Sequence, residues 1–377
     1  MTGSAIKGVE RYQRQVLLKD FGITGQQKLF QSKVLVIGAG GLGCPILQYL
    51  AAAGVGTLGI VDHDVVELSN LHRQILYTVA DKGKSKASCA AEKLRLFNPD
   101  ITIVPYPVQL SNGNAAAIIG EYDMVIDGSD NFPTRYMVND ICVLLNKPLI
   151  YGALSAAEGQ VAVFNVPDRE GVKVNYRDLF PVAPQPGEVL NCSEAGVLGV
   201  LPGIIGTMQA NEAIKLIAGI GEPLINQMLI YDMYTCQSYK IKLSSANSTA
   251  KSLPATLEAF QEMDYSWFCG IKTAGDDVKE ISAEELKALT SDGNYEESYT
   301  IIDVRERNEI PLAADFNYIR LPLSELKRDI PLIVRDKVIL FCQSGIRSVI
   351  AAELLAAAYP AKEYYSLKGG ISRLTIR

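Results

Sequence analysis

Between Lys33 and Leu243 the chain switches repeatedly between short continuous apolar runs and longer stretches whose apolar positions recur at helical spacing. Lys33–Ile37 reads as a buried strand, Cys44–Ala53 as a helix and Thr57–Asp62 as a second strand, which together make a βαβ unit. Further strands are predicted at Ile101–Pro105, Asp123–Asp127 and Pro148–Gly152, with helices over Lys84–Phe97 and Asn131–Leu145. Glu158–Val166 and Gln227–Asp232 read as later strands, and Leu201–Ala218 as a helix after a glycine-rich turn. Such alternation predicts an α/β fold built on a doubly wound, mostly parallel sheet.

From Ser244 to about Asp277 the periodicity fades into Ser, Thr, Asn, Ala and Gly-Asp-Asp, the composition of a linker. Three segments are therefore expected: a domain over 1–243, a linker over 244–277 and a smaller α/β domain over 278–377. The last holds a helix near Ser282–Leu289, strands at Thr300–Val304 and Lys337–Cys342, a helix over Arg347–Ala358 and a strand near Glu363–Leu367. At about 100 residues it is long enough to fold alone.

Val34 to Val61 carries no charged residue, and mean hydropathy is slightly positive at +0.11. A transmembrane helix is excluded there because Gly38, Gly40, Gly41, Gly43, Pro45, Gly54, Gly56 and Gly59 cut the run into short pieces. The N-terminus has no apolar signal-peptide core, so a cytoplasmic protein is expected. A formal net charge of −6 and a pI near 5.2 argue against a nucleic-acid backbone or an anionic membrane as the main partner. Seven scattered cysteines without a C-x-x-C pair fit neither a disulfide framework nor a four-thiolate zinc site. Cys44, Cys89 and Cys142 fall within apolar helix patterns and are expected in the core, and His63 and His72 are the only histidines.

Gly38-Ala-Gly40-Gly41-Leu-Gly43 falls between a predicted strand and helix, with Asp62 ending the next strand. Glycines at such a turn let the backbone approach a nucleotide and aim a helix N-terminus at phosphate. On that loop alone an NAD-dependent oxidoreductase would lead. The residues that follow suit a triphosphate better: Asp62-His-Asp64, Ser69-Asn70-Leu-His72-Arg73-Gln74, Lys84, Lys86 and Asp130 offer cations to offset its charge and a carboxylate for Mg²⁺.

Together with Arg11-Tyr-Gln-Arg14-Gln15, Gly128-Ser-Asp130-Asn131 and Asn191-Cys192-Ser-Glu-Ala-Gly196, these motifs closely resemble the MoeB/ThiF family of ubiquitin-activating-type adenylyltransferases over approximately Glu10 to Leu243. The resemblance implies a Rossmann-like domain that binds Mg-ATP and adenylates the C-terminal glycine of a ubiquitin-like sulfur carrier of the MoaD or ThiS type, ending in Gly-Gly. It places the nucleotide on Gly38, Gly40, Gly41, Gly43, Asp62 and Asp64, with Asp62 on the ribose. It places the phosphates on Asn70, Arg73 and Lys86 and magnesium on Asp130, and it implies a homodimer in which Arg14 reaches the neighbouring subunit's ATP site. Attack of a weakly nucleophilic carboxylate on the α-phosphorus needs positioning and charge neutralisation more than a general base, so scarce histidine is no obstacle.

Cys192 matches the family cysteine implicated in thioester or disulfide chemistry, beside a crossover segment placed near Pro167–Val189. Relatives usually carry two C-x-x-C pairs for structural zinc. Here the first position reads Asn175-Tyr-Arg-Asp178 and only Cys269 lies near the second, so zinc is expected to be absent.

Val338-Ile-Leu-Phe341-Cys342-Gln-Ser-Gly345-Ile-Arg347-Ser348 sets a cysteine at the end of an apolar strand, before a short loop and a helix. Loop N–H groups and the helix N-terminus would converge on the sulfur and favour a thiolate or persulfide anion. A cysteine phosphatase uses a similar cradle, but its loop from Cys to Arg is one residue longer. With Ile301-Ile-Asp303-Val-Arg305-Glu306 and Lys368-Gly369-Gly370, the segment from about Val278 resembles a rhodanese domain, although the usual Gly-His-Ile element is missing around Ala313–Tyr318. The combined expectation is adenylylation followed by sulfur transfer through Cys342 and Arg347, with Cys192 resolving the product and a cysteine desulfurase or other sulfur donor as a further partner. The alternative is an adenylyltransferase whose C-terminal domain only docks a partner.

Overall fold

The computed structural model describes residues 9–181, 183–184, 196–245, 253–263, 265–269, 278–291, 294–307, 309, 316–343 and 345–371 of the 377-residue chain. The chain divides into two compact units between Tyr265 and Ser266.

The first unit is built on eight strands: β1 (Lys33–Ile37), β2 (Thr57–Val61), β3 (Thr102–Tyr106), β4 (Met124–Asp127), β5 (Leu149–Ser155), β6 (Glu158–Phe164), β7 (Gln227–Asp232) and β8 (Gln237–Lys242). Their order is β3-β2-β1-β4-β5-β6-β7-β8. Pairing is parallel through β5 and antiparallel beyond it. Val36 of β1 lies opposite Ile60 on one side and Ile126 on the other, so the strand order reverses between β1 and β4. Open α/β sheets take their ligands in the crevice at such a reversal.

Helices cover the sheet: α1 (Val9–Val16), α2 (Gly22–Gln31), α3 (Gly43–Ala53), α4 (Lys86–Phe97), α5 (Asn112–Gly120), α6 (Phe132–Leu144), α7 (Tyr176–Leu179), α8 (Val200–Ala218) and α9 (Leu257–Glu262). Helix α3 is mostly apolar because most of it is buried; Cys44, Ile46, Leu47 and Leu50 have no exposed surface, and Tyr49 is exposed. Cys89 and Cys142 are likewise core residues. Helix α6 starts where the Asn131 side chain accepts the Thr134 N–H at 3.0 Å and Pro133 opens the first turn.

The stretch expected as a linker holds α9, whose Phe260 is fully buried. Asn112 of α5 donates to the carbonyls of Phe260 at 2.8 Å and Met263 at 2.6 Å, which ties this stretch to the first unit despite its loop-like composition.

The second unit is a five-stranded parallel sheet of β9 (Val278–Ile281), β10 (Tyr299–Asp303), β11 (Ile319–Arg320), β12 (Lys337–Phe341) and β13 (Glu363–Leu367), ordered β11-β10-β12-β13-β9. Helices α10 (Ala283–Ser291) and α11 (Ile346–Ala358) belong to it. Central β12 contributes Val338, Ile339, Leu340 and Phe341 to the core, all without exposed surface, as expected of a strand covered on both faces. No helix among the described residues is long and apolar enough to cross a membrane.

Candidate functional site

At the C-terminal end of β1 the chain turns at Gly38, with φ +87°, where a Cβ would stand 2.8 Å from the Gly128 carbonyl oxygen after β4. A Cβ on Gly43 would stand 2.0 Å from the Gly38 carbonyl oxygen. Only hydrogen fits at either position, so the loop lies flat against the strand ends. Gly40 and Gly41 are less confined and line the open side, next to Gln74, Pro202 and Arg73.

Asp62 reaches back across this loop. Its Oδ2 accepts the Ala39 N–H and its Oδ1 the Asp64 N–H, both at 2.8 Å. Burial pushes the Asp62 carboxyl up from its ordinary range, against the pull of Lys86 and of these two N–H groups. Lys86, at the start of α4, is 5% exposed and places Nζ 3.0 Å from Asp64 Oδ2. The Tyr77 hydroxyl bonds the Ala39 carbonyl at 2.9 Å and the Lys86 carbonyl at 3.2 Å, locking loop and helix together. Arg73 donates to Asn70 Oδ1 at 3.0 Å and to the Ser69 carbonyl at 3.3 Å.

The structure therefore brings Gly38–Gly43, Asp62, Asp64 and Lys86 together, with the Asn70–Arg73 turn beside Gly41 and Asp130 two residues beyond Gly128. Asp130 is exposed and its carboxylate makes no hydrogen bond among the described residues. Such an uncommitted hard oxygen donor fits Mg²⁺. Asp62, His63 and Asp64 also bring ligand atoms within 4.8 Å of one another, but Asp62 already accepts two N–H groups and Asp64 carries Lys86. Arg14 is exposed on α1 and makes no such contact with the loop. Cys192 lies outside the described residues.

Two charged groups here were not anticipated from sequence. Asp127, 1% exposed, accepts the Ser129 N–H at 2.9 Å, and burial pushes its carboxyl up against the opposing charge of Arg135. Arg135 is one turn beyond the Asn131 cap, a spacing that sets both at the same end of α6 and was the available signal.

In Asn175-Tyr-Arg-Asp178, Asn175 accepts the Arg177 N–H at 2.9 Å, and Asp178 accepts the Asn175 backbone and side-chain N–H groups at 2.9 and 2.8 Å. Arg177 forms a fully buried pair with Asp140, and the Tyr265 hydroxyl donates to the same carboxylate at 2.7 Å. A capping box and an ion pair thus hold this segment after β6.

In the second unit, Cys342 follows β12 with no exposed surface, and the Gly345 N–H points at its sulfur at 3.1 Å. This supplies one of the expected donors to the sulfur. The Ser348 hydroxyl lies 3.7 Å from the sulfur and 2.8 Å from the Ser366 hydroxyl. Gly345 has φ +97°, and a Cβ on Gly370 would come within 2.5 Å of the Cys342 carbonyl oxygen, so the late glycines let the C-terminal turn press against the cysteine loop. Arg347 donates to both Glu309 oxygens at 2.6 and 2.9 Å, while fully buried Arg305 pairs with Asp303. Glu309 was not foreseen, since nothing near it in sequence marks it as a partner for a residue 38 positions away.

Residues 12–252 match the ThiF family and residues 282–376 match the rhodanese-like domain. The chain belongs to the ThiF family. Its similarity to the "Probable adenylyltransferase/sulfurtransferase MoeZ" of Mycobacterium tuberculosis is 40% identity over 374 residues, covering 96% of this chain and 92% of that one. The "Adenylyltransferase and sulfurtransferase MOCS3-1" of Zea mays is 41% identical over 369 residues, covering 92% and 77%. The "Sulfur carrier protein adenylyltransferase" of Thermus thermophilus is 47% identical over 267 residues, covering 70% of this chain and 97% of that one. Among solved structures, E. coli MccB with MccA-N7isoASN shares the fold at 21% identity and a TM-score of 0.56, covering 70% of this chain and 75% of that one. For a ThiF-family chain the NAD reading of the glycine loop gives way to ATP, and the phosphatase reading of the second unit gives way to the rhodanese-like domain.

Proposed function

We infer that this enzyme adenylylates the C-terminal glycine of a ubiquitin-like sulfur-carrier protein and then transfers sulfur to it as a thiocarboxylate. The observation that carries the reading is the presence in one chain of a nucleotide loop braced by Asp62 and Lys86 and of a buried cysteine facing a loop N–H.

In the first step the carrier carboxylate attacks the α-phosphorus of ATP and pyrophosphate leaves. Asp62 takes the ribose and Asn70, Arg73 and Lys86 neutralise the phosphates, while Asp130 would hold magnesium, which when bound would supply charge to offset that of the leaving group. Arg14 acts on the neighbouring subunit's site in a homodimer. Preorganised cations suffice because the bond change is mainly one of charge relocation.

In the second step a Cys342 persulfide attacks the acyl-adenylate, forming an acyl disulfide and releasing AMP. The Gly345 N–H and the N-terminus of α11 favour the persulfide anion. Cys192 thiolate then attacks the Cys342 sulfur, which releases the thiocarboxylate and leaves a Cys192–Cys342 disulfide for reduction by an external thiol. The segment around Asn175–Asp178 holds without zinc.

The test is intact-mass analysis of a Gly-Gly-terminated carrier incubated with the enzyme, Mg-ATP and a persulfide donor. Replacement of one carboxyl oxygen by sulfur is expected. Adenylate and pyrophosphate without thiocarboxylate would instead make the second unit a docking module.

A further inference from the structure

Arg135 stands out among the charged side chains of the first unit. It lies one turn into α6, partly buried, with its guanidinium over the rings of Phe132 and Tyr151 at 5.6 Å each. Its only hydrogen bond among the described residues is a long one, 3.3 Å from Nη2 to the Ser129 carbonyl. Among the described residues no carboxylate forms a close ion pair with it, although the charges of Asp127 and Asp130 act on it, and Nε is buried without an acceptor. A further buried polar atom at the same end of the sheet lacks a partner among the described residues, Gln74 Oε1, on a residue 4% exposed beside Gly40, whereas the Ser129 hydroxyl lies against the Asp127 carboxylate. Buried polar groups are nearly always paired, so two orphans at the end of the sheet where the strand order reverses mark a place that a polar ligand completes.

The position discriminates between ligands. Arg73 and Lys86 belong to the turn and helix that follow β2, on one side of the nucleotide loop. Arg135 follows β4 and lies over Tyr151 of β5, on the other side, close enough to Asp127 and Asp130 for their charges to act on it. In an in-line displacement the leaving pyrophosphate and the incoming nucleophile occupy opposite faces of the α-phosphorus. Cations on the β2 side therefore suit the leaving group, and a cation on the β4–β5 side suits the nucleophile. A guanidinium presents a planar fork that matches a carboxylate, and contact with two rings restricts its position in advance.

We propose that Arg135 grips the C-terminal carboxylate of the carrier tail and aims it at the α-phosphorus. This rests on the proposed adenylylation. It adds a substrate-binding residue whose ligand is a free carboxylate on an extended, glycine-ended peptide, and it assigns no role to Arg135 in holding ATP.

The test compares full-length wild type with Arg135→Gln and Arg135→Lys in binding titrations with two forms of a recombinant ubiquitin-like carrier ending in Gly-Gly, one with a free C-terminal carboxylate and one amidated. Wild type is expected to bind the free form at least tenfold more tightly. Arg135→Gln should bind both forms alike, Arg135→Lys should recover part of the discrimination, and the affinity of all three for a non-hydrolysable ATP analogue should agree within about twofold. In pyrophosphate exchange the KM for carrier should rise in Arg135→Gln while the KM for ATP stays put. Undiminished preference for the carboxylate in Arg135→Gln, or an equal loss of ATP affinity, would overturn the assignment and leave the proposed function standing. A wild-type enzyme that forms an adenylate with no glycine-ended carrier would remove both.

Discussion

Arg177 and Asp140 face each other with no exposed surface, Nε and Nη2 each 2.7 Å from a different carboxylate oxygen. The pair joins α7, just beyond β6, to the middle of α6, and Arg177 also sits 5.0 Å above the Tyr136 ring. Removing one member strands the other charge in the interior, so Arg177→Met should lower unfolding free energy by about 3–5 kcal/mol. The double variant Arg177→Met/Asp140→Leu should recover much of that loss in chemical denaturation. Because this pair and the Asn175 capping box hold the segment together, overnight chelation should leave the melting temperature unchanged.

A second stability contribution depends on pH. Asp81 is buried and its carboxyl is held well below the ordinary carboxylate range, first by the hydrogen bond from Lys93, with burial opposing and Thr78 assisting. A lowered folded-state value means the stabilisation is complete above the unfolded carboxylate range and is lost as pH falls through the folded value. Asp81→Asn should therefore cost about 1.5–3 kcal/mol at pH 7, as expected for charge-assisted hydrogen bonds. The gap from wild type should close on acidification below the ordinary carboxylate range, measured by urea denaturation at a series of pH values.

Lys86 is the buried cation beside the nucleotide loop, and its loss removes the ammonium that pairs with Asp64. Lys86→Met should reduce ATP–pyrophosphate exchange by about 10²–10³-fold, the scale for losing one preorganised stabiliser of developing charge. Gly43→Ala should abolish exchange for a different reason, since its methyl would lie 2.0 Å from a backbone oxygen and the whole loop must move. Equal activity in either variant would contradict the assignment of this crevice.

Cys342→Ala should keep full adenylate formation and lose transfer from a persulfide donor, whereas Cys192→Ala should form the acyl disulfide and stall there. Single-turnover mass spectrometry distinguishes the two arrests. Full thiocarboxylate yield from Cys192→Ala would remove Cys192 from the pathway.

Elements with strong local signals were legible in sequence. The strands expected at Lys33–Ile37, Gln227–Asp232 and Glu363–Leu367 have those bounds in the structure, because each is an uninterrupted run set off by turn residues. Strand β8 was not seen, since every one of its residues is exposed at the sheet edge and no alternation of burial marks it. Strands β9 and β11, of four and two residues, are too short to display a period. Helix α9 was hidden by loop-like composition around one buried aromatic, Phe260. In the site, motifs located the loop, Asp62, Lys86 and Cys342. Arg135, Glu309 and the Asp140–Arg177 pair escaped because their meaning lies in neighbours far away along the chain, which periodicity does not encode.

The burial of Cys342 changes how its chemistry must be measured. With no part of the residue open to solvent, a donor protein or alkylating reagent meets the sulfur only in those molecules whose loop has momentarily parted. The observed labelling rate is then the product of an opening equilibrium and an intrinsic reactivity. At high reagent concentration it should level off at the opening rate, identical for reagents of very different electrophilicity. A slow reaction with iodoacetamide would thus report a closed gate, not a feeble nucleophile, and a carrier or donor that binds at the mouth of the loop would be expected to speed it.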